Sequence, residues 1–231
     1  MPAPLTVIIP TLNAMQSLGP CLAALTEGLE DGLIAALIIS DGGSTDGVDM
    51  LADAAGARFI SGPARRGQQL GAGAAESRSE WMLFLHADTV LAPGWPMVVR
   101  KHIASSAKKA GYFQLQFDAP GLGARIIAGG ANLRSRWFGL PYGDQGLLIS
   151  RALYDEIGGY PALALMEDVA IARRLRGRLA AMPAIAVTSA ARYQRDGWLR
   201  RPARNLWLLS RYLLGADPEK LAAAYRASSA N

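Results

Sequence analysis

The stretch Trp81-Met-Leu-Phe-Leu-His-Ala-Asp-Thr89 sets the reading of the whole chain. Met82 to Leu85 is a short apolar run of the kind that forms a buried strand, and it stops abruptly at His86, Ala87 and Asp88. Side chains alternate along a strand, so continued strand geometry would point His86 and Asp88 the same way. Asp88 either bonds the amides of a turn closed by Pro93-Gly94 or stands at the carboxyl end of a central strand, facing a ligand. The second reading is preferred because other strands of the chain end in the same manner.

Upstream, Leu5 to Ile9 is a continuous β-branched run ended by Pro10 and followed by Thr11-Leu12-Asn13. A helix is predicted from Gln16 to about Glu30, and Ala35 to Ser40 forms the second strand. That strand runs into Asp41-Gly-Gly-Ser-Thr-Asp-Gly47, which opens a helix through Ala55. Arg58 to Ser61 is the third strand, Gly62 to Gly67 its loop, and Gln68 to Ser77 a helix of small residues. Four alternations of strand and helix before Thr89 predict an α/β fold, a Rossmann-like and mostly parallel sheet with right-handed crossovers. Thr11, Asp41, Arg65, Arg66 and Asp88 then share the rim at the carboxyl ends of the strands, where open α/β sheets bind ligands.

The second half is less regular. Helices are predicted over Pro96 to Lys109 and Gly123 to Arg136, and a half-exposed strand over Tyr112 to Phe117. A further strand spans Leu147 to Ser150, with Ser150 capping a helix that stops at Gly158-Gly159. Met166 opens another helix and Ala184 to Thr188 is a last strand. With no repeat and no low-complexity linker, a single domain is expected: a nucleotide-binding half (1–110), an acceptor-side half (111–190) and a helical tail (191–231).

Composition narrows the function. With 231 residues and 51% hydrophobic content the chain can bury a full core. Its 24 Lys and Arg against 19 Asp and Glu give +5, which suits an anionic ligand or membrane surface. Basic and aromatic residues do not interleave before the C-terminus, so no nucleic-acid partner is expected. The lone Cys21 excludes an intrachain disulfide and reads as a core residue. The first residues lack the pattern of a signal peptide, and no apolar run reaches about 18 residues. A cytoplasmic location is expected.

Several motifs carry chemistry. The loop from Asp41 has neither the spacing of a dinucleotide fingerprint nor the lysine of a P-loop. An acid at a strand end suits donor groups on a base or ribose, whereas Asp46 caps or flanks the following helix. Arg65-Arg66-Gly67 offers planar guanidinium for phosphate, or a solvated surface pair, with one of the two expected on the rim. Glu167-Asp168 either complements a helix dipole or supplies a general base. Gly143-Asp144-Gln145-Gly146 is a turn that could equally lie under a substrate. Residues 195–214 combine Trp198, Leu206, Trp207 and Leu213 with five arginines. That pattern fits either a helix lying on an anionic membrane or one packed on the core.

Taken together, Ile8-Ile-Pro-Thr-Leu-Asn13, Asp41 to Gly47, Arg66-Gly67, Leu83 to Thr89 and Glu167-Asp168 resemble glycosyltransferase family 2. His-Ala-Asp in place of Asp-x-Asp, and the ending Arg192 to Gly197, are further similar to a small bacterial subgroup of radical-SAM and selenodomain-associated transferases. The resemblance implies a GT-A fold and inverting transfer from a nucleotide-diphospho-sugar of UDP or GDP type, assisted by Mn²⁺ or Mg²⁺. It implies a donor site of Pro10, Thr11, Asn13, Asp41, Arg65, Arg66, Ala87 and Asp88. Asp88 would be the metal ligand, with His86 a second candidate, and Asp168 the base. Asp144, Gln145, Glu167, Arg192 and Arg195 would lie on the acceptor or diphosphate side. The acceptor is expected to be a lipid or envelope glycan reached at the inner face of a membrane, with peripheral contact through 195–214. A nucleotidyltransferase and a non-catalytic nucleotide-sugar binder are the rival readings.

Overall fold

The computed structural model describes residues 3–105 and 108–227. Residues 106 and 107, within the helix predicted over Pro96 to Lys109, lie outside the described residues.

Four strands, β1 (Leu5–Thr11), β2 (Ile34–Asp41), β3 (Arg58–Ser61) and β4 (Trp81–Phe84), alternate with helices α1 (Met15–Glu30), α2 (Val48–Ala54) and α3 (Arg66–Glu76). After β4 come β5 (Thr89–Leu91), α4 (Trp95–Ser105), β6 (Ala110–Phe117) and α5 (Leu122–Phe138). A 3-10 turn at Gly143–Gln145 precedes β7 (Leu147–Ser150), α6 (Arg151–Glu156), α7 (Glu167–Arg174) and β8 (Leu179–Thr188). The chain continues through α8 (Ala191–Asp196), α9 (Arg200–Leu213) and α10 (Pro218–Ala227).

All eight strands form one sheet in the order β3-β2-β1-β4-β7-β6-β8-β5. Pairing is parallel from β3 through β4, as the alternation predicts, and parallel again between β6 and β8. It is antiparallel for β4 with β7, β6 with β7, and β5 with β8. The switch to antiparallel at β7 is what the irregular second half concealed. Strand β5 is also new, because three residues are too few to show a period; the loop expected there pairs with β8 instead.

Both faces of the sheet are apolar, which is why the strands read as unbroken hydrophobic runs. Along β1, Leu5, Val7 and Ile9 face a core shared with α1, α2 and α4. Ile8 faces the opposite core, with α3, α6 and α7. β1 does not stop at Pro10 but continues to Thr11 beside Asp41. Pro10 is tolerated because β4 pairs only with Leu5 to Ile8, leaving one side of the strand open beyond it.

Trp95 fixes α4 to α1. It is fully buried, its indole N–H donates to the carbonyl of Ala24 at 3.0 Å, and its ring covers Gly28. A Cβ on Gly28 would lie 2.5 Å from that ring. Alanine gains about 1 kcal/mol in helix propensity over glycine, but overpacking a rigid buried ring costs typically 1–3 kcal/mol. Gly28→Ala is therefore expected to lower the unfolding free energy by up to about 2 kcal/mol, measured by urea denaturation.

Candidate functional site

The site lies where the loops after β1, β2 and β4 meet α3 and the C-terminal helices. It is a cleft with two lobes. The larger, about 550 Å³, is lined by Pro10 to Ala14, Gln69, Ala87 and arginines 66, 192, 195 and 201. The smaller, about 150 Å³, is lined by Tyr142, Asp144, Glu167, Asp168, Tyr193 and Asn205. Arg66, His86, Asp88, Leu165, Arg192, Arg201 and Tyr225 line both, so they form the passage between the lobes. As the strand alternation suggested, His86 and Asp88 face one cleft, although both stand just past the end of β4.

The floor of the larger lobe is built by Asp41. One carboxylate oxygen accepts from the Thr11 hydroxyl at 2.8 Å and the Ser44 hydroxyl at 2.5 Å; the other accepts from the amides of Gly43 and Ser44, each at 2.7 Å. Burial pushes its pKa up, but hydrogen bonds from Ser44, Thr11 and Gly43 outweigh that and hold it below the usual range. With its acceptors engaged, Asp41 does not line the cleft, which corrects the expected direct contact with a nucleoside. Thr11 and Asn13 do line it. Asn13 adopts a positive φ of 50°, and its side-chain oxygen accepts from the amide of Thr45 at 3.0 Å. Asp46 caps the preceding helix, accepting from the amide of Met15 at 2.8 Å, rather than the following one.

Gln69 is a site residue the sequence reading passed over. Its buried amide nitrogen donates to the carbonyls of Thr11 (2.7 Å) and Ser40 (2.9 Å), tying α3 to the ends of β1 and β2. One of two adjacent glutamines in a helix of small residues gives no sequence signal for this. Gly67 has a stricter reason: a Cβ there would sit 2.1 Å from the carbonyl oxygen of Pro161. Its absence lets the loop carrying Leu163 close against the start of α3.

Of the two neighbouring arginines only Arg66 reaches the cleft, 3.4 Å from Glu167; Arg65 turns away and pairs with Glu219 at 2.6 Å. Glu167 is buried, and that burial, partly offset by Arg66, raises its pKa. Asp168 is fixed at the start of α7, accepting from the amides of Gly143 at 3.1 Å and Val169 at 2.7 Å. Each of its oxygens retains a second lone pair. Burial, then Arg66, lowers the pKa of His86, so its imidazole is neutral and the ring lies against Gly143, where a Cβ would be 2.2 Å from its Nε2. Gln145 is wholly buried, holding Ser135 and the carbonyl of Phe113, which corrects its placement on the acceptor side.

Arg192 and Arg195 line the larger lobe. Arg195 pairs with Asp196, which also binds Arg201 at 2.6 Å. Arg192 has no ion pair among the described residues. The segment 195–214 divides between its two readings: Arg201, Asn205 and Leu208 line the cleft, while other residues of α9 face solvent.

These strands, loops and lobes define the GT-A architecture. Residues 6–117 match the model of glycosyl transferase family 2. A glucosyl-3-phosphoglycerate synthase of Mycolicibacterium paratuberculosis is 33% identical over 95 residues, which is 37% of this chain and 29% of that protein. Among solved structures, S. aureus TarS in complex with UDP superposes with a TM-score of 0.60 at 14% identity, covering 80% of this chain and 61% of that one. Glucosyl-3-phosphoglycerate synthase from Mycobacterium tuberculosis, solved with Mn²⁺ and UDP-glucose, gives 0.55 at 18% identity, covering 80% and 69%. This chain thus spans only part of the length of several relatives.

Asp144 shows the strain expected of a functional group. One of its carboxylate oxygens is buried without a hydrogen-bond partner. Burial, opposed by Arg134 and reinforced by Asp168 and Asp88, pushes its pKa up to about 6 from an ordinary 3.8. Between those values the folded protein holds a proton the unfolded chain has lost, so stability falls as pH rises through the window. Asp144→Asn is expected to stabilise the protein at pH 8 by on the order of 2 kcal/mol and to leave it unchanged below pH 4. Urea melts at the two pH values measure this.

Proposed function

We propose that the protein transfers a sugar from a nucleotide-diphospho-sugar to an acceptor hydroxyl with inversion at the anomeric carbon. The observation that carries this reading is the unequal charge of the two lobes. The larger is lined by Arg66, Arg192, Arg195 and Arg201 against one carboxylate, Asp88, whereas the smaller adds Asp144, Glu167 and Asp168. A nucleoside fits the larger lobe over Thr11 and Asn13, with its diphosphate at the passage. There Arg66 and Arg192 face the negative charge that grows on the leaving group. Arg192 is the cation with most to offer, since Arg66 is shared with Glu167 and Arg201 with Asp196.

A divalent metal fits this passage modestly. No cluster of three or more His, Cys, Asp or Glu capable of holding a metal occurs among the described residues. Asp88 supplies a carboxylate and His86 a neutral imidazole, and diphosphate oxygens would complete the shell, as Mg²⁺ sites often allow. When bound, such an ion neutralises diphosphate charge. Asp168 takes the proton from the acceptor hydroxyl as its oxygen bonds to the anomeric carbon and the bond from that carbon to the diphosphate oxygen breaks. Its two amide contacts hold the carboxylate in one orientation while leaving lone pairs for that proton. Glu167, buried and charge-compensated by Arg66, positions Arg66 instead. UDP is the first donor nucleotide to test, because TarS and the mycobacterial synthase were solved with UDP or UDP-glucose.

UDP with Mn²⁺ at a hundredfold excess over Kd is expected to raise the Tm by about 5–10 °C. Asp88→Ala should lose that shift. Asp168→Asn should keep it while lowering transfer or donor hydrolysis by roughly 10²–10⁴-fold. Undiminished turnover in Asp168→Asn would return the protein to the non-catalytic reading.

A further inference from the structure

Two helices of this chain are amphipathic in the wrong sense for a protein surface. On α5 the buried face is made of small residues, Ala124, Ala128, Ala131 and Ser135, while Leu122, Ile126, Leu133 and Trp137 point outward at intervals of four, seven and four. Ile126 is 64% exposed and Trp137 70% exposed, and Phe138 continues the patch. Gly129 and Gly130 fill the gap in the stripe with nothing near them. On α9, Leu208 and Leu209 face inward, while Leu206, Trp207, Leu213 and, just past its end, Leu214 face outward. The helices begin near one another: a Cβ on Gly123 of α5 would lie 3.1 Å from Trp198, which stands just before α9.

The charges on the two helices are of one sign. Neither contains an aspartate or glutamate, and each carries exposed arginines beside its apolar stripe: Arg125 and Arg136 on α5, Arg200 and Arg211 on α9. Their remaining arginines turn inward, Arg134 to the carbonyl of Leu140, Arg201 and Arg204 to Asp196. An exposed apolar stripe of this size calls for a cover. A second copy is disfavoured because stacking these faces would oppose arginine to arginine with no acid to pair. Helices of 17 and 14 residues with Trp and Leu on one side and arginine along the margin match the pattern of helices lying in a bilayer interface.

We propose that the exposed faces of α5 and α9 together form a docking surface for an anionic lipid bilayer. The stripes enter the boundary between headgroups and acyl chains, and Arg125, Arg136, Arg200 and Arg211 pair with lipid phosphates. Because the inward face of α9 carries Arg201, Asn205 and Leu208 into the smaller lobe, docking sets that lobe directly behind the bound helix. The surface itself stands whether or not the proposed transfer is correct.

Flotation of the full chain with phosphatidylcholine vesicles, with and without phosphatidylglycerol, tests this. Binding to the anionic vesicles should exceed binding to the neutral ones by at least about tenfold and weaken with added salt. Ile126→Glu with Leu133→Glu on α5, and Leu206→Glu with Trp207→Glu on α9, should each abolish flotation. All four residues are exposed and none lines the cleft, so both variants should keep the parent Tm and the UDP-induced shift. Absence of flotation by the parent chain, or undiminished flotation of either variant, overturns the two-helix surface. So does a parent dimer that both variants convert to monomer, since a second copy would then cover the faces.

Discussion

The carboxylate of Asp41, at the end of β2, receives the Thr11 hydroxyl from the end of β1 and two amides and a hydroxyl from the loop after β2, and the floor of the cleft depends on that arrangement. Two further cross-links, from Asn13 to Thr45 and from Asp46 to Met15, join the same two loops. Together they hold the ends of two parallel strands at one height. Hydrogen bonds to a charged acceptor are among the stronger ones available to a protein, and the Asp41 side chain that receives four of them is itself buried. The floor of the larger lobe is therefore preformed by the chain itself.

Around this rigid floor the cleft is assembled from elements far apart in sequence. Gly67 admits the loop at Leu163 against α3, and that same loop leads into α7 with Glu167 and Asp168. The C-terminal helices return Arg192, Arg201 and Tyr225 to the opposite wall. Arg66, Arg192 and Arg201 line both lobes, the larger adds Arg195, and the smaller adds the carboxylates of Asp144, Glu167 and Asp168. The carboxylates of Glu167, which is buried, and Asp144, which is partly buried, are held at elevated pKa by loss of water around them, a cost in stability.

Helix α9 serves two environments. Its inner face lines the smaller lobe while its outer face presents leucine and tryptophan beside arginine. Read from sequence, packed helix and surface-seeking helix were alternatives; in the fold one helix has both faces. Helix α5 gave no such signal: its buried side is alanine and serine, and its large hydrophobic residues lie on the outward face.

Much of the N-terminal half is legible in the sequence because its strands are buried on both faces and read as continuous apolar runs, each ending in a polar loop. Periodicity and turn chemistry thus determined that β1 to β4 run parallel and that Thr11, Arg66 and Asp88 share one rim. The tertiary structure alone decided which polar residues on that rim are available to a ligand. Asp41 and Gln145 are chemically suited to a site but have their hydrogen-bonding capacity consumed within the fold, whereas Gln69, Arg201 and Tyr225 enter the site from helices with no motif. Partner choice among hydrogen-bonding groups is a matter of distances between segments remote in the chain, and a linear pattern carries no such distances.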